Sequence, residues 1–277
     1  MSATESVPPA PARPGGSLTT VAAQMFGADF LKLRRKLSTV IWSLVLALAP
    51  LAIFFVVRAI QHSSTPAEHP PAGGLDGFSD GLRLLALFMG PLAAILIGAE
   101  AGAGDHAAGV FRDLVVTGRS RLALFAARVP AALALCWSVM LGGFALLLIG
   151  TFVFASNMPT PSGTLILEAI GFTLLATGVV CTVAVGLASL TTSRPATITA
   201  LIGWQLVASP LIANIESLGG ARDAVLSQSL AHFSPVALHG HMGSVVSMGA
   251  ATAILVAALW LAVFLGLGAW RTRTMDA

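Results

Sequence analysis

Long apolar runs separated by short polar segments dominate the chain. Six runs, at about 38–60, 82–99, 124–154, 165–190, 196–215 and 247–270, approach or exceed the roughly 20 residues that a helix needs to cross a bilayer. Uninterrupted apolar runs of this length predict helices, because lipid offers no partner to the backbone groups of an open strand. The pattern therefore predicts an all-α, polytopic membrane protein with one six-helix transmembrane domain over residues 18–277.

A helical periodicity precedes the first run. Apolar residues recur every three or four positions from Leu18 to Leu37, and Phe26 and Phe30 belong to this stripe. Basic residues cluster at its end: Lys32, Arg34, Arg35 and Lys36. Such an amphipathic helix is suited to the inner membrane surface, with membrane lipids as its partner; an ordinary juxtamembrane extension is the alternative. Residues 1–17, rich in Pro, Ala, Ser and Gly, predict a disordered cytoplasmic tail.

Composition supports the membrane class. Hydrophobic residues make up 56% of the chain and charged residues only 10%, against roughly 25% charged in soluble domains. There is no basic, aromatic-interleaved soluble region, which excludes a nucleic-acid partner. Cys136 and Cys181 both fall inside apolar runs, so we expect them to be packing residues and not a disulfide or metal pair.

The distribution of Lys and Arg predicts the orientation. With six spans and the N-terminus inside, the outer side holds only Arg58, Arg83 and Arg222, and the other twelve basic residues lie inside. Both termini are therefore expected in the cytoplasm. Arg194, in a short inner loop, is interpreted as a topology anchor. The basic segment at 32–36 precedes a long run without a convincing cleavage site, which predicts an anchor and not a cleaved signal peptide.

Small residues and prolines mark helix contacts and kinks. Gly171, Gly178 and Gly186 share one face of the fourth run, and Gly249, Ala253 and Ala257 form a similar strip in the sixth. Such faces allow close helix packing, within this chain or with another copy. Prolines within or near runs should kink them, at Pro50, Pro91 and Pro210.

The polar stretch 98–121, between the second and third runs, is patterned like a helix. Val110, Phe111, Leu114 and Val115 form an apolar stripe, and Arg112 and Asp113 project away from it. Glu100 and Asp105 lie near its start, where acids favour the positive end of a helix. We expect a short cytoplasmic amphipathic helix here; the alternative is a capped connector without further function.

Combined with six spans, this stretch resembles the permease subunits of type-2 ATP-binding-cassette (ABC) transporters. In that family an acid ends the second span, a glycine-rich link follows, and a coupling helix leads to a Ser–Arg element before the third span. The matching positions here are Glu100, Gly104, Gly109, Arg112, Leu114, Gly118, Ser120, Arg121 and, later, Arg128. Val110 stands where members often have Thr after the glycine.

The resemblance implies a permease that forms the translocation pathway of an exporter in a bacterial plasma (cytoplasmic) membrane. Two permease chains, identical or different, would each dock a separate cytoplasmic ATPase that binds MgATP. The amphipathic helix predicted between Leu18 and Leu37 would contact that ATPase, and so would the coupling helix, with Phe111 and Leu114 as anchors and Arg112 and Asp113 on the rim. The implied ATPase-coupling residues are Glu100, Asp105, Gly109, Phe111, Arg112, Asp113, Leu114, Arg119 and Arg121.

We find no catalytic, nucleotide-binding or metal-binding motif in the sequence. Its two lysines, Lys32 and Lys36, do not follow a G-x-x-x-x-G segment, so there is no P-loop and any ATP must bind another polypeptide. We therefore expect no enzymatic site and no cofactor in this chain. The loop histidines His232, His239 and His241 lack an established metal-ligand spacing and an adjoining acid, which favours solvated side chains over a metal site.

Two other classes of function remain as alternatives. An ion- or proton-coupled carrier or channel would place polar groups at mid-membrane, and the apolar runs carry almost none. Glu168, near the outer end of the fourth run, is the one acid there with a candidate role in substrate passage or gating. An intramembrane enzyme would need paired catalytic side chains at matched depth, which the sequence does not show.

Overall fold

The computed structural model describes residues 18–107, 120–239 and 246–274, and this part of the chain is helical with no strand. Six of its helices are long and apolar enough to cross a membrane, which confirms the predicted six-span, all-helical architecture. In chain order, spans 1 to 6 are Leu37–Ser64, Gly74–Asp105, Arg121–Val153, Gly163–Thr191, Arg194–Asn214 and Ala250–Thr274. The predicted tail 1–17 lies outside the described residues.

A separate helix, Leu18–Arg35, precedes span 1 and is called the entry helix below. Lys36 alone interrupts the two helices, with φ −77° and ψ 74°. The entry helix packs mainly against span 3 and also touches spans 1 and 2. Phe30 packs against the core and Leu33 is buried, whereas Phe26 is exposed. The helix lies where the sequence predicted one; its place along a membrane surface stays a prediction.

Spans 2 and 5 each contain a π-helical segment. In span 2 it covers Leu84–Met89, between Gly74–Arg83 and Gly90–Ala107. In span 5 it covers Trp204–Ala208, between Arg194–Gly203 and Ser209–Asn214. Each π segment ends two residues before a proline, Pro91 or Pro210, because a wider turn accommodates the missing N–H and the ring.

Span 2 is longer at both ends than the apolar run predicted. The predicted runs 38–60 and 82–99 leave residues 61–81 between them, but the helix already begins at Gly74. Phe78, four residues further on, is fully buried and meets the Phe144 ring edge-on at 6.2 Å. The polar residues around Phe78 lowered the local hydropathy and concealed a buried helical face. At its other end the helix continues to Ala107.

Glycines set the closest helix contacts. At Gly98 an added Cβ would lie 2.5 Å from the Cys181 carbonyl oxygen, so span 2 packs directly on the backbone of span 4. At Gly186 an added Cβ would lie 2.4 Å from the Phe264 carbonyl oxygen, so spans 4 and 6 also meet backbone to backbone. The predicted glycine face of span 4 therefore contacts span 6 of the same chain at Gly186, whereas Gly171 faces open space.

The chain between spans 5 and 6 forms short helical pieces. A 3-10 segment covers Glu216–Ala224, an α-helix follows at Leu226–His232, and a 3-10 turn covers Val236–Leu238. The helix Leu226–His232 is followed by a turn at Ser234 and Pro235. The helix Leu226–His232 packs against span 6.

Candidate functional site

Four basic side chains converge on two buried carboxylates at the end of span 2. Glu100 and Asp105 lie in the last two turns of the helix that ends at Ala107, and they are 4% and 2% exposed. Their basic partners come from the end of the entry helix, from the residue between that helix and span 1, from the eighth residue of span 3 and from the first residue of span 5. These partners are Lys32, Lys36, Arg128 and Arg194. We call these six residues the charge cluster.

Asp105 joins the entry helix to span 3. Its Oδ2 accepts a hydrogen bond from Arg128 Nη2 at 3.0 Å, and its Oδ1 pairs with Lys32 Nζ. Arg128 is also buried, at 2% exposure, and Nη1 donates to the Gly102 carbonyl oxygen at 3.4 Å. An isolated buried charge costs several kcal/mol, on the order of 3–5, so these two residues depend on each other.

Glu100 joins span 1 to span 5. Its Oε2 pairs with Arg194 Nη1 at 2.9 Å, and its Oε1 lies 3.6 Å from Lys36 Nζ. The Thr39 hydroxyl, in the first turn of span 1, donates to Glu100 Oε2 at 3.4 Å and accepts from Arg194 Nη2 at 3.3 Å. The carboxylate thus holds the starts of two spans against the end of a third.

The two sequence arguments placed these acids differently. The periodicity put Glu100 and Asp105 near the start of a coupling helix, where the helix dipole favours acids, whereas the family resemblance put Glu100 at the end of the second span. Both acids lie at the C-terminal end of span 2, where the dipole disfavours negative charge. The correction explains the cluster, because acids at that end and at that depth require nearby cations.

A third carboxyl, Asp29 of the entry helix, lies at the edge of the cluster. Burial raises the pKa of Asp29 above its ordinary value, Lys32 and Arg128 act to lower that pKa, and the charge of Asp105 acts to raise it. Burial has the largest effect. The negatively charged form of Asp29 is therefore less favourable in the protein than it is for a free aspartate in water.

The structure brings together some of the residues that the sequence singled out. Glu100, Asp105, Lys32 and Lys36 belong to the cluster, and Arg34 and Arg35 are exposed. Arg121 is the first residue of span 3, whose N-cap hydroxyl, on Ser120, accepts from the Ala123 N–H at 3.1 Å. The other predicted coupling residues lie outside the described part of the chain: Gly109, Phe111, Arg112, Asp113, Leu114 and Arg119.

Sequence analysis missed the roles of two arginines. Arg194 was interpreted only as a topology anchor, and Arg128 only as a late position of a family motif. A usable signal was present for Arg128, because it falls within an apolar run and a charge at such a depth needs a partner. Arg194 gave no comparable signal, since basic residues are ordinary at the inner end of a span.

Other candidate residues lie apart from the cluster. Glu168 is exposed on span 4, and none of the described residues forms an ion pair or hydrogen bond with its side chain. The His232 and His239 rings are 6.3 Å apart, and no group of three metal-ligating side chains occurs among the described residues; His241 lies outside them. Cys136 and Cys181 are buried and unbridged, as predicted.

No protein-family model matches this sequence, and no curated protein matches it either. Fold and cluster together define the class: an all-helical, multi-pass membrane protein with six helices able to span the bilayer. The cluster ties the entry helix and four spans into one unit at one end of the bundle. Such a unit can transmit a displacement between helices.

Proposed function

We propose that this chain is the permease subunit of an ABC transporter that exports its cargo and is driven by ATP hydrolysis in a separate ATPase subunit. One observation carries the proposal: the charge cluster connects both ends of the segment 108–119 to the entry helix. Asp105 lies three residues before that segment and Arg128 lies nine residues after it, and the two side chains pair at 3.0 Å. The sequence predicts the ATPase-docking helix in that segment.

The cluster supplies a route for the mechanical coupling. A push on residues 108–119 reaches Asp105 and, through Arg128 and Lys32, the start of span 3 and the entry helix. It reaches span 5 through Glu100 and Arg194. Buried ion pairs resist separation because each charge would be left without a partner in a low-dielectric environment. The helices therefore move together when the docking segment moves.

The interior of the spans favours an external motor over ion coupling. Buried hydroxyls of span 4 donate to carbonyls of their own helix, as from Thr173 to Ala169 at 2.8 Å and from Thr177 to Thr173 at 2.6 Å. Among the described residues, the buried carboxylates are Glu100 and Asp105, both near one helix end. An ion- or proton-coupled carrier needs such groups at mid-membrane.

The least buried spans are available for a second permease chain or for lipid. Spans 1, 5 and 6 expose most of their apolar side chains, whereas spans 2 and 4 form the centre of the bundle. A pair of permease chains, identical or different, would place some of these exposed faces against each other. The bound MgATP belongs to the ATPase in this proposal.

Changing the predicted docking residues should detach the ATPase. In the variant Phe111→Ala/Arg112→Asp/Asp113→Arg, we expect the amount of ATPase recovered with the permease to fall at least tenfold. Truncating one aromatic anchor costs about 2 kcal/mol or more, which is roughly a 30-fold loss of affinity. The measurement is quantitative mass spectrometry of ATPase chains captured with the tagged permease from mildly solubilised membranes.

The control variant is Glu216→Arg/Val236→Ala, which reverses a charge and truncates an apolar side chain at exposed positions between spans 5 and 6. It should retain the wild-type amount of ATPase. Equal capture by the docking variant and the wild type, with both folded by size-exclusion chromatography, would contradict the proposed coupling segment.

A further inference from the structure

A cleft of about 140 Å³ opens between spans 2 and 5 and the helix Leu226–His232. It lies toward the start of span 2, so the charge cluster at the end of that span takes no part in it. Both π-helical segments contribute to its walls, through Leu87 and Phe88 of span 2 and Gln205 and Leu206 of span 5. π-Turns inside α-helices frequently occur at functional sites.

The polar side of the cleft carries several hydrogen-bond donors, from an arginine, two glutamines and two serines. Arg83, ten residues into span 2, contributes a guanidinium that lies 5.6 Å from the centre of the Phe88 ring. Among the described residues, no carboxylate forms an ion pair with Arg83, and no acid lines the cleft. A half-buried arginine without a counter-charge favours an anion, and its planar fork suits carboxylate and phosphate.

Two neutral groups add donors beside Arg83. Gln205 Nε2 donates one hydrogen to the Leu87 carbonyl oxygen at 3.1 Å, and its second N–H is left for another acceptor. The Ser209 and Ser227 hydroxyls are 2.6 Å apart. In such a pair one hydroxyl donates to the other, and the accepting hydroxyl keeps its own hydrogen for a ligand. These groups make a site for several charge-assisted hydrogen bonds.

The other side of the cleft is apolar and continues along the surface of the bundle. Leu206 and Phe88 line the cleft and are 47% and 42% exposed, and Leu211, one turn beyond, is 59% exposed. The cleft itself holds only a head group. An attached hydrocarbon chain would lie along these exposed side chains, which face lipid in a membrane-spanning bundle.

We propose that the cleft binds an anionic amphiphile, a molecule with a phosphate or carboxylate head group on a hydrocarbon chain. The head group binds Arg83, Gln205 and the serine pair, and the chain lies on the apolar surface beside span 5. If the protein is a transporter, such a molecule is its class of cargo or a lipid that regulates it. Binding itself requires neither ATP nor a partner ATPase, so its failure is distinguishable from failure of the proposed function.

Binding is tested on the purified full-length chain in detergent, without any ATPase. The probe is fluorescent oleoyl lysophosphatidic acid, compared with lysophosphatidylcholine of the same chain and with inorganic phosphate and oleate as competitors. We expect saturable binding of the anionic lipid, competition by oleate, and at least about tenfold weaker binding of the zwitterionic lipid and of inorganic phosphate.

Arg83→Gln should weaken binding of the anionic lipid on the order of tenfold, and Arg83→Lys should weaken it less because the charge remains. The matched control is Arg222→Gln, since Arg222 donates to the Ala213 carbonyl oxygen at 2.8 Å and does not line the cleft. Equal affinity in Arg83→Gln and the wild type, equal losses in Arg83→Gln and Arg222→Gln, or equal affinity for the two lysolipids would each overturn the proposal. If inorganic phosphate bound as tightly as the lipid, the apolar part of the site would be refuted.

Discussion

Replacing Asp105 with Asn is expected to lower the free energy of unfolding of the bundle by about 3–5 kcal/mol. The variant leaves Arg128, which is 2% exposed, without a negative partner in the protein interior. An amide can accept a hydrogen bond but cannot compensate the desolvated guanidinium. The change is measured by reversible unfolding in mixed micelles, with helix content followed by circular dichroism.

A matched acid at the other end of span 2 gives the control. Asp80 pairs with Arg58 at 2.7 Å, but the side chains of both residues are about one-third exposed. Asp80→Asn should therefore cost only about 0–1 kcal/mol. The double variant Asp105→Leu/Arg128→Met should recover most of the loss, because it leaves neither charge buried. Equal losses for Asp105→Asn and Asp80→Asn would contradict the burial argument.

Gly186→Ala is expected to destabilise the bundle by about 1–3 kcal/mol, although alanine is the better helix former. The added Cβ would lie 2.4 Å from the carbonyl oxygen of Phe264 and 2.6 Å from its carbonyl carbon. Both are backbone atoms, so relief requires spans 4 and 6 to move apart. The same unfolding measurement detects the change.

Gly171→Ala, in the same helix, is the control with the opposite expected sign. An added Cβ at Gly171 meets nothing within 4 Å. This variant should stabilise the protein by about 0.5–1 kcal/mol, through helix propensity alone. A gain of stability in both variants would show that spans 4 and 6 do not pack backbone to backbone at Gly186.

The fold follows from the sequence to the extent that hydropathy determines it. Six apolar runs give six spans, because a bilayer leaves few other arrangements for such a chain. The entry helix followed from its periodicity. The first turns of span 2 did not follow from the sequence, because Asp76, Ser79 and Asp80 lower the local hydropathy around the buried Phe78. Packing against span 3 outweighs local polarity in that segment.

The candidate site was only partly predictable, and for physical reasons. The small residues from Gly102 to Gly104 resembled a flexible link, but in the structure they continue the helix of span 2. This helix packs closely on span 4, because an added Cβ at Gly102 would lie 2.5 Å from the Val185 carbonyl oxygen. The predicted second run ended at residue 99, so the periodicity assigned Glu100 and Asp105 to the start of the next helix, and only the family resemblance placed Glu100 at the end of span 2. The cleft could not be foreseen, because Arg83, Gln205 and Ser227 belong to distant parts of the chain.

Purification of the wild-type chain from its native membranes tests the central claim most directly. The proposal is that an external ATPase moves this bundle through residues 108–119, which lie between Asp105 and Arg128 of the charge cluster. We predict that an ATPase with a P-loop co-purifies in about equal molar amount with this chain, and that the complex hydrolyses MgATP. Recovery of the folded chain with no ATP-binding partner and no ATP hydrolysis would contradict the account.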